Sequence, residues 1–83
     1  MTNDICERLG ERLRKLRKQR EWTQMYLAVH TGLSRTFISD VENGLKEPCL
    51  RSLETFADAF EMSLPELFRG VHRARSKTRN VEA

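Results

Sequence analysis

The sequence predicts an all-α fold, a compact bundle of five short helices, and three observations carry that reading. Apolar residues recur at helical spacing in successive stretches, as at Ile5, Leu9, Leu13 and Leu16. Polar residues that can accept from the first N–H groups of a helix stand ahead of those stretches, at Asp4, Thr23, Ser34 and Ser63. Between two stretches lies the triplet Thr31-Gly32-Leu33, a tight turn with glycine where a helix stop needs left-handed backbone.

The first helix is expected from Asp4 to about Arg20, with Glu7 completing an acidic capping box. Its other face carries Arg8, Arg12, Arg14, Lys15, Lys18 and Arg20, a charge run that reads mainly as a solvated face. The pair Glu11 and Lys15 adds only about 0.2–0.5 kcal/mol. Glu21-Trp22 forms the bend into the second helix, and Trp22 is assigned to the core rather than to base stacking.

Thr23 caps the second helix, and Leu27, Ala28 and Val29 supply its apolar face. Met25 and Tyr26 are expected to be exposed or half-exposed: ordinary surface residues, a phosphate contact from Tyr26, or a small partner-binding patch. Ser34 caps the third helix, over residues 34–43, and Ile38 and Val41 point inward. That leaves Arg35, Thr36, Ser39 and Asp40 outside, and Asn43-Gly44 closes the helix.

A loop follows through Pro48, and Cys49 is a poor cap for the fourth helix, whose stripe is Leu50, Leu53, Phe56, Ala57 and Phe60. The Cys49 thiol reads as inert packing or as a redox sensor. Ser63 and Glu66 form a capping box for a short fifth helix, with Pro65 in its first turn. Residues 1–70 are read as one domain and residues 71–83 as a basic, mobile tail, either without function or attracted to DNA by counterion release.

Composition narrows the function. Fifteen Lys and Arg against twelve Asp and Glu give a formal charge of +3 in 83 residues, a modest bias toward polyanions. Cys6 and Cys49 are far apart and belong to no metal-spaced pair; with no signal peptide, reduced thiols in a cytoplasm are expected. The apolar runs are too short to span a bilayer. His30 and His72 have no partners for catalysis, and no glycine-rich phosphate loop is present. No enzyme, metal, cofactor or small-molecule ligand is therefore predicted.

Two short helices joined by a tight turn make the helix-turn-helix pattern, in which the second helix enters the DNA major groove. The run TQ-x-x-LA-x-x-x-GLSRTFIS-x-VENG, with PCLRSLETFADAF and SLPELF downstream, resembles the phage-repressor/Cro (XRE) family over about residues 9–68. The resemblance implies a lambda-repressor-like DNA-binding bundle. It implies that Arg17 pairs with Glu42, pinning the first helix to the recognition helix, the alternative being a weak exposed contact. It also implies that Gln24 donates to a DNA phosphate and braces the recognition helix. Ser34, Asn43 and Lys46 complete the phosphate set, Lys46 reading equally as a solvated loop charge.

Arg35 is the candidate for a two-pronged grip on guanine, the commonest specific major-groove contact. Thr36 is assigned to a thymine methyl or a phosphate, and Ser39 lies one turn further on. Asp40 either accepts from a cytosine amino group or repels phosphate. Phe37 touches a thymine methyl or wedges against its own domain. Related small repressors make a twofold contact near the fifth helix, which assigns Met62, Leu64, Leu67, Phe68 and Val71 to a dimer interface, Leu67 reading also as core.

The expectation is a sequence-specific transcription regulator that binds double-stranded DNA as a homodimer on an inverted repeat and controls its own gene. Its size and RTFIS segment are similar to restriction-modification controller proteins, features that phage-type repressors share. Repression and activation both remain open, the latter through an acidic face touching RNA polymerase. The alternative is an antitoxin-like protein-interaction module with secondary DNA binding.

Overall fold

The computed structural model describes residues 4–72. The predicted tail, apart from Val71 and His72, lies outside the described residues. Among the described residues five helices follow in order: α1 (Ile5–Gln19), α2 (Gln24–Thr31), α3 (Arg35–Glu42), α4 (Leu50–Ala59) and α5 (Leu64–Leu67). Helix α3 packs against α1 and α2, α2 also meets α4, and α4 meets α5.

Local chemistry starts each helix. Thr23 accepts from the Tyr26 N–H at 2.9 Å, Ser34 from Phe37 at 3.0 Å and Ser63 from Glu66 at 3.3 Å. Asp4 accepts from the Cys6 N–H at 2.6 Å. Cys49 makes no side-chain cap bond, as its chemistry predicts. The same interlocked turn stops α1, α3 and α4. At the end of α1, Trp22 N–H reaches the Arg17 carbonyl and Glu21 N–H the Lys18 carbonyl, with Glu21 at φ 59°. Gly44 (φ 75°) and Glu61 (φ 58°) take the same left-handed position after α3 and α4.

Leu9, Leu13, Leu16, Leu27, Ala28, Ile38, Val41, Phe56, Ala57, Ala59, Phe60, Leu67 and Val71 form one core. Trp22 packs on its edge, its ring stacked on Phe60 at 5.6 Å. Three residues placed inward by periodicity are instead exposed: Ile5, Val29 and Leu50. Ile5 and Leu50 are the first residues of their helices. Helical side chains lean toward the N-terminus, so these two overhang the end of the bundle. Val29 lies on the side of α2 turned from Leu27 and Ala28, which take the buried contacts.

The interface set needs correction as well. Leu67 is fully buried within the protomer, as its core alternative has it, and Val71 is buried too, showing only the edge that lines a groove with Ile5, Leu9 and Phe68. Val71 also extends the packed domain past the boundary drawn at residue 70. Met62, Leu64 and Phe68 stay half-buried against the core.

The basic face of α1 is largely structural rather than solvated. Arg8 Nε donates to the Val71 carbonyl at 2.5 Å, and Arg12 to the carbonyls of Leu67 (3.1 Å) and Glu66 (2.7 Å). Arg20 donates to the Phe60 carbonyl at 2.9 Å and lies over the Phe60 ring. These arginines reach carbonyls at the ends of α4 and α5 and, at Val71, just beyond. Cys49 is exposed, so it is not packed; a hydrogen bond with Ser52 lowers its thiol from the ordinary value.

Candidate nucleic-acid interface

The face built around α3 starts from a buried ion pair. Arg17 Nε meets Glu42 Oε2 at 2.7 Å and Arg17 Nη2 meets Oε1 at 2.9 Å. The remaining terminal nitrogen of Arg17 donates to the Trp22 carbonyl at 2.8 Å. Burial pushes the Glu42 carboxyl up, but hydrogen bonds from Arg17 and Gln24 and the charges of Arg17 and Arg14 outweigh it. Its pKa is therefore lowered overall, and it is held as a carboxylate. The hydrogen bond to Glu42 raises the Arg17 pKa in turn.

Backbone contact brings α1 and α3 close enough for that pair. Gly10 is buried, and a Cβ there would collide with the carbonyl oxygens of Val41 and Glu42. Gly10, Arg14 and Arg17 recur at spacings of four and three, so one strip of α1 faces the end of α3.

Two polar chains run outward from Glu42. In the first, Gln24 Nε2 donates to Glu42 Oε1 at 3.1 Å, and Gln24 Oε1 accepts from Arg35 Nη1 at 3.4 Å. In the second, Arg14 Nε lies 3.6 Å from Glu42 Oε1 while Arg14 Nη2 donates to Asn43 Oδ1 at 2.7 Å. Asn43 Nδ2 then faces Ser39 Oγ at 3.5 Å.

Ser34, Arg35 and Thr36 are exposed together at the start of α3, and Asn43 and Lys46 are exposed beyond its end. Gln24, Ser39 and Asp40 are half-buried. Phe37 packs on the core, which favours the wedge over a groove contact. Met25 and Tyr26 are exposed; Tyr26 stacks on His30, and both rings approach Trp22. Sequence reasoning missed Arg14 and Gly10. Their signal was a glycine inside a helix, followed at four and seven residues by arginines.

A family profile described as a helix-turn-helix domain matches residues 8–69, the stretch that holds all five helices but the first turn of α1. The chain belongs to the helix-turn-helix family of regulators, of the XRE type. This helix-turn-helix chain is 36% identical over 72 residues to the control protein C.MunI of Mycoplasma sp, covering 86% of the chain and 97% of that protein. It is also similar to the crystal structure of the restriction-modification controller C.AhdI from Aeromonas hydrophila. There the TM-score is 0.73 and the identity 33%, over 76% of this chain and 96% of that one. The controller C.Esp1396I, solved as a tetramer on its natural 35 base-pair operator, gives a TM-score of 0.73 at 27% identity, over 81% of this chain and 88% of that one. Among the described residues no helix is long and apolar enough to cross a membrane.

Proposed function

We propose that this helix-turn-helix regulator binds an inverted-repeat operator as a homodimer, controls transcription of its own gene in the cytoplasm, and serves as a restriction-modification controller. The observation that carries the reading is the exposed first turn of α3, Arg35 and Thr36, braced from behind by the buried Arg17–Glu42 pair. A base-reading helix must hold its side chains in register against the groove, and an anchored helix does so. Arg35 and Thr36 read bases, with Ser39 and Asp40 one turn further on. Ser34, Asn43, Lys46 and the second amide hydrogen of Gln24 meet phosphates and set the docking position.

The second copy docks on the apolar end of the molecule. Phe68 lines a groove of about 450 Å³ together with Ile5, Leu9, Leu53 and Val71, and Met62 and Leu64 are half-buried against the core. Ile5, part of that lining, and Leu50 are exposed. One surface thus carries both a hollow and aliphatic side chains able to fill one, which a twofold contact requires. The controllers similar to this chain support the assignment, one of them being a tetramer on its operator.

A titration on DNA from upstream of the protein's own gene, against scrambled DNA at two salt concentrations, tests the reading. Tight, cooperative binding to the upstream DNA alone is the expected result. Weak and equal binding to both, collapsing with salt, would leave only phosphate attraction. That outcome would favour the second reading, a protein-interaction module. Its supporting observation is the exposed strip of Met25, Tyr26 and Val29 on α2.

A further inference from the structure

Hydrogen-bond polarity along the second chain from Glu42 constrains what Ser39 can read. Arginine has only donors, so Asn43 must turn its carbonyl oxygen toward Arg14, where the two meet at 2.7 Å. That fixes the rest of the amide. The Asn43 NH₂ then faces Ser39 Oγ at 3.5 Å and approaches it as a donor. A hydroxyl has one hydrogen and two lone pairs. Approached by a donor, Ser39 gives one lone pair to Asn43 and keeps its hydrogen, with the other lone pair, free for another partner. Arg14 is itself fixed by Glu42, 3.6 Å away.

We infer that Arg14 and Asn43 are positioning residues that keep the Ser39 hydrogen available to DNA, so that Ser39 donates to an acceptor edge. Guanine O6 or N7, adenine N7 and thymine O4 are such edges in the major groove, whereas the cytosine amino group is a donor. The inference rests on the reading of α3 as the recognition helix and adds the direction of one contact to it. The same amide logic operates at Gln24, whose NH₂ faces Glu42 and whose carbonyl faces Arg35.

Asn43→Asp is the deciding variant. Its carboxylate still accepts from Arg14 but cannot donate to Ser39. The serine hydrogen then turns to the carboxylate, and only lone pairs remain for DNA. The added charge also weakens binding to every sequence, so the readout is relative affinity. The full chain would be titrated against operators carrying each of the four bases at every position, for wild type, Ser39→Ala, Asn43→Asp, Arg14→Lys and the double variant Ser39→Ala/Asn43→Asp.

Ser39→Ala locates the position that Ser39 reads. There, Asn43→Asp is expected to lower the preference for an acceptor edge by about three- to tenfold, the range of one neutral hydrogen bond. Arg14→Lys, still a donor, should retain the preference, and Asn43→Asp should shift nothing further once Ser39 is alanine. A uniform loss in Asn43→Asp with preference unchanged would overturn the polarity, as would Ser39→Ala leaving every position unchanged. Wild-type protein without any base preference would overturn the DNA-reading role itself, and this inference with it.

Discussion

The Arg17 guanidinium and the Glu42 carboxylate, 25 residues apart in sequence, share two hydrogen bonds at 2.7 and 2.9 Å that join α1 to α3. Both residues are buried. The pair therefore sets the seat of α3 on α1, and its disruption leaves a charge in the interior with no counterpart. Arg17→Met or Glu42→Leu is expected to cost about 3–5 kcal/mol, read from urea unfolding. A loss below about 1 kcal/mol would mean that water reaches the surviving charge. The double substitution should recover part of the loss, because a buried pair replaced whole by apolar residues is often neutral.

The same pair makes stability depend on pH in a stated direction. The Glu42 carboxyl titrates below its ordinary value in the folded protein. Between the folded and unfolded values the unfolded chain binds more protons, so stability rises with pH there. The contribution is complete above the unfolded carboxyl value of about 4.3 and is lost as pH falls through the lower folded value. Glu42→Gln should flatten that acid limb in chemical unfolding measured from pH 3 to pH 6. An unchanged limb would assign acid sensitivity to other carboxylates.

Gly10 is where α1 comes closest to α3. Alanine is the better helix former by about 1 kcal/mol, so propensity alone would make Gly10→Ala stabilising. The collision of its Cβ with the carbonyls of Val41 and Glu42 opposes that gain. Those atoms belong to backbone and cannot rotate away. We expect a net loss of about 1–3 kcal/mol, together with weaker binding to every DNA sequence as α3 is displaced. A more stable variant would show that the helices can separate at little cost.

What the sequence disclosed, and what it concealed, follows the range of each interaction. Thr23, Ser34 and Ser63 bond to N–H groups three residues away, so a short window reveals them. The arginine staples escape such a reading. Arg8 and Arg12 reach carbonyls 63 and 55 residues on, and backbone acceptors carry no residue signature. Periodicity failed at Ile5 and Leu50 because it assumes that a helix is covered along its whole length. For the candidate site, the resemblance supplied Arg17, Glu42 and Gln24, whereas the Arg14–Asn43–Ser39 chain needed coordinates.

Gln24 bonds both Glu42 and Arg35, a bracing contact on α3 of the kind that the resemblance implies beside a phosphate contact. Arg35→Ala is expected to cost about 1–3 kcal/mol of specific binding and to relax the preference at one base position. Gln24→Ala should weaken binding to all sequences and also relax that same position, since it frees the guanidinium. The two substitutions together should then cost less than their sum, measured as a double-mutant cycle on operator DNA. Strict additivity would mean that the Arg35–Gln24 contact gives way when DNA binds.

Glu21 and Glu61 are the two non-glycine residues with positive φ among the described residues, at 59° and 58°. Each stands one place past the cap of its helix, where glycine is the usual occupant. A Cβ in left-handed backbone costs about 1–2 kcal/mol, and the greater unfolded-state freedom of glycine takes back about half of that. An acidic side chain beside the last carbonyls of a helix adds an unfavourable charge–dipole contact. Glu21→Gly and Glu61→Gly should therefore each raise stability by about 0.5–1 kcal/mol, an increase of a few degrees in Tm. Both sites are exposed and outside the α3 face, so affinity for DNA should stay the same. A fall in stability for Glu21→Gly would show that its side chain contributes more at the α1–α2 bend than its backbone costs.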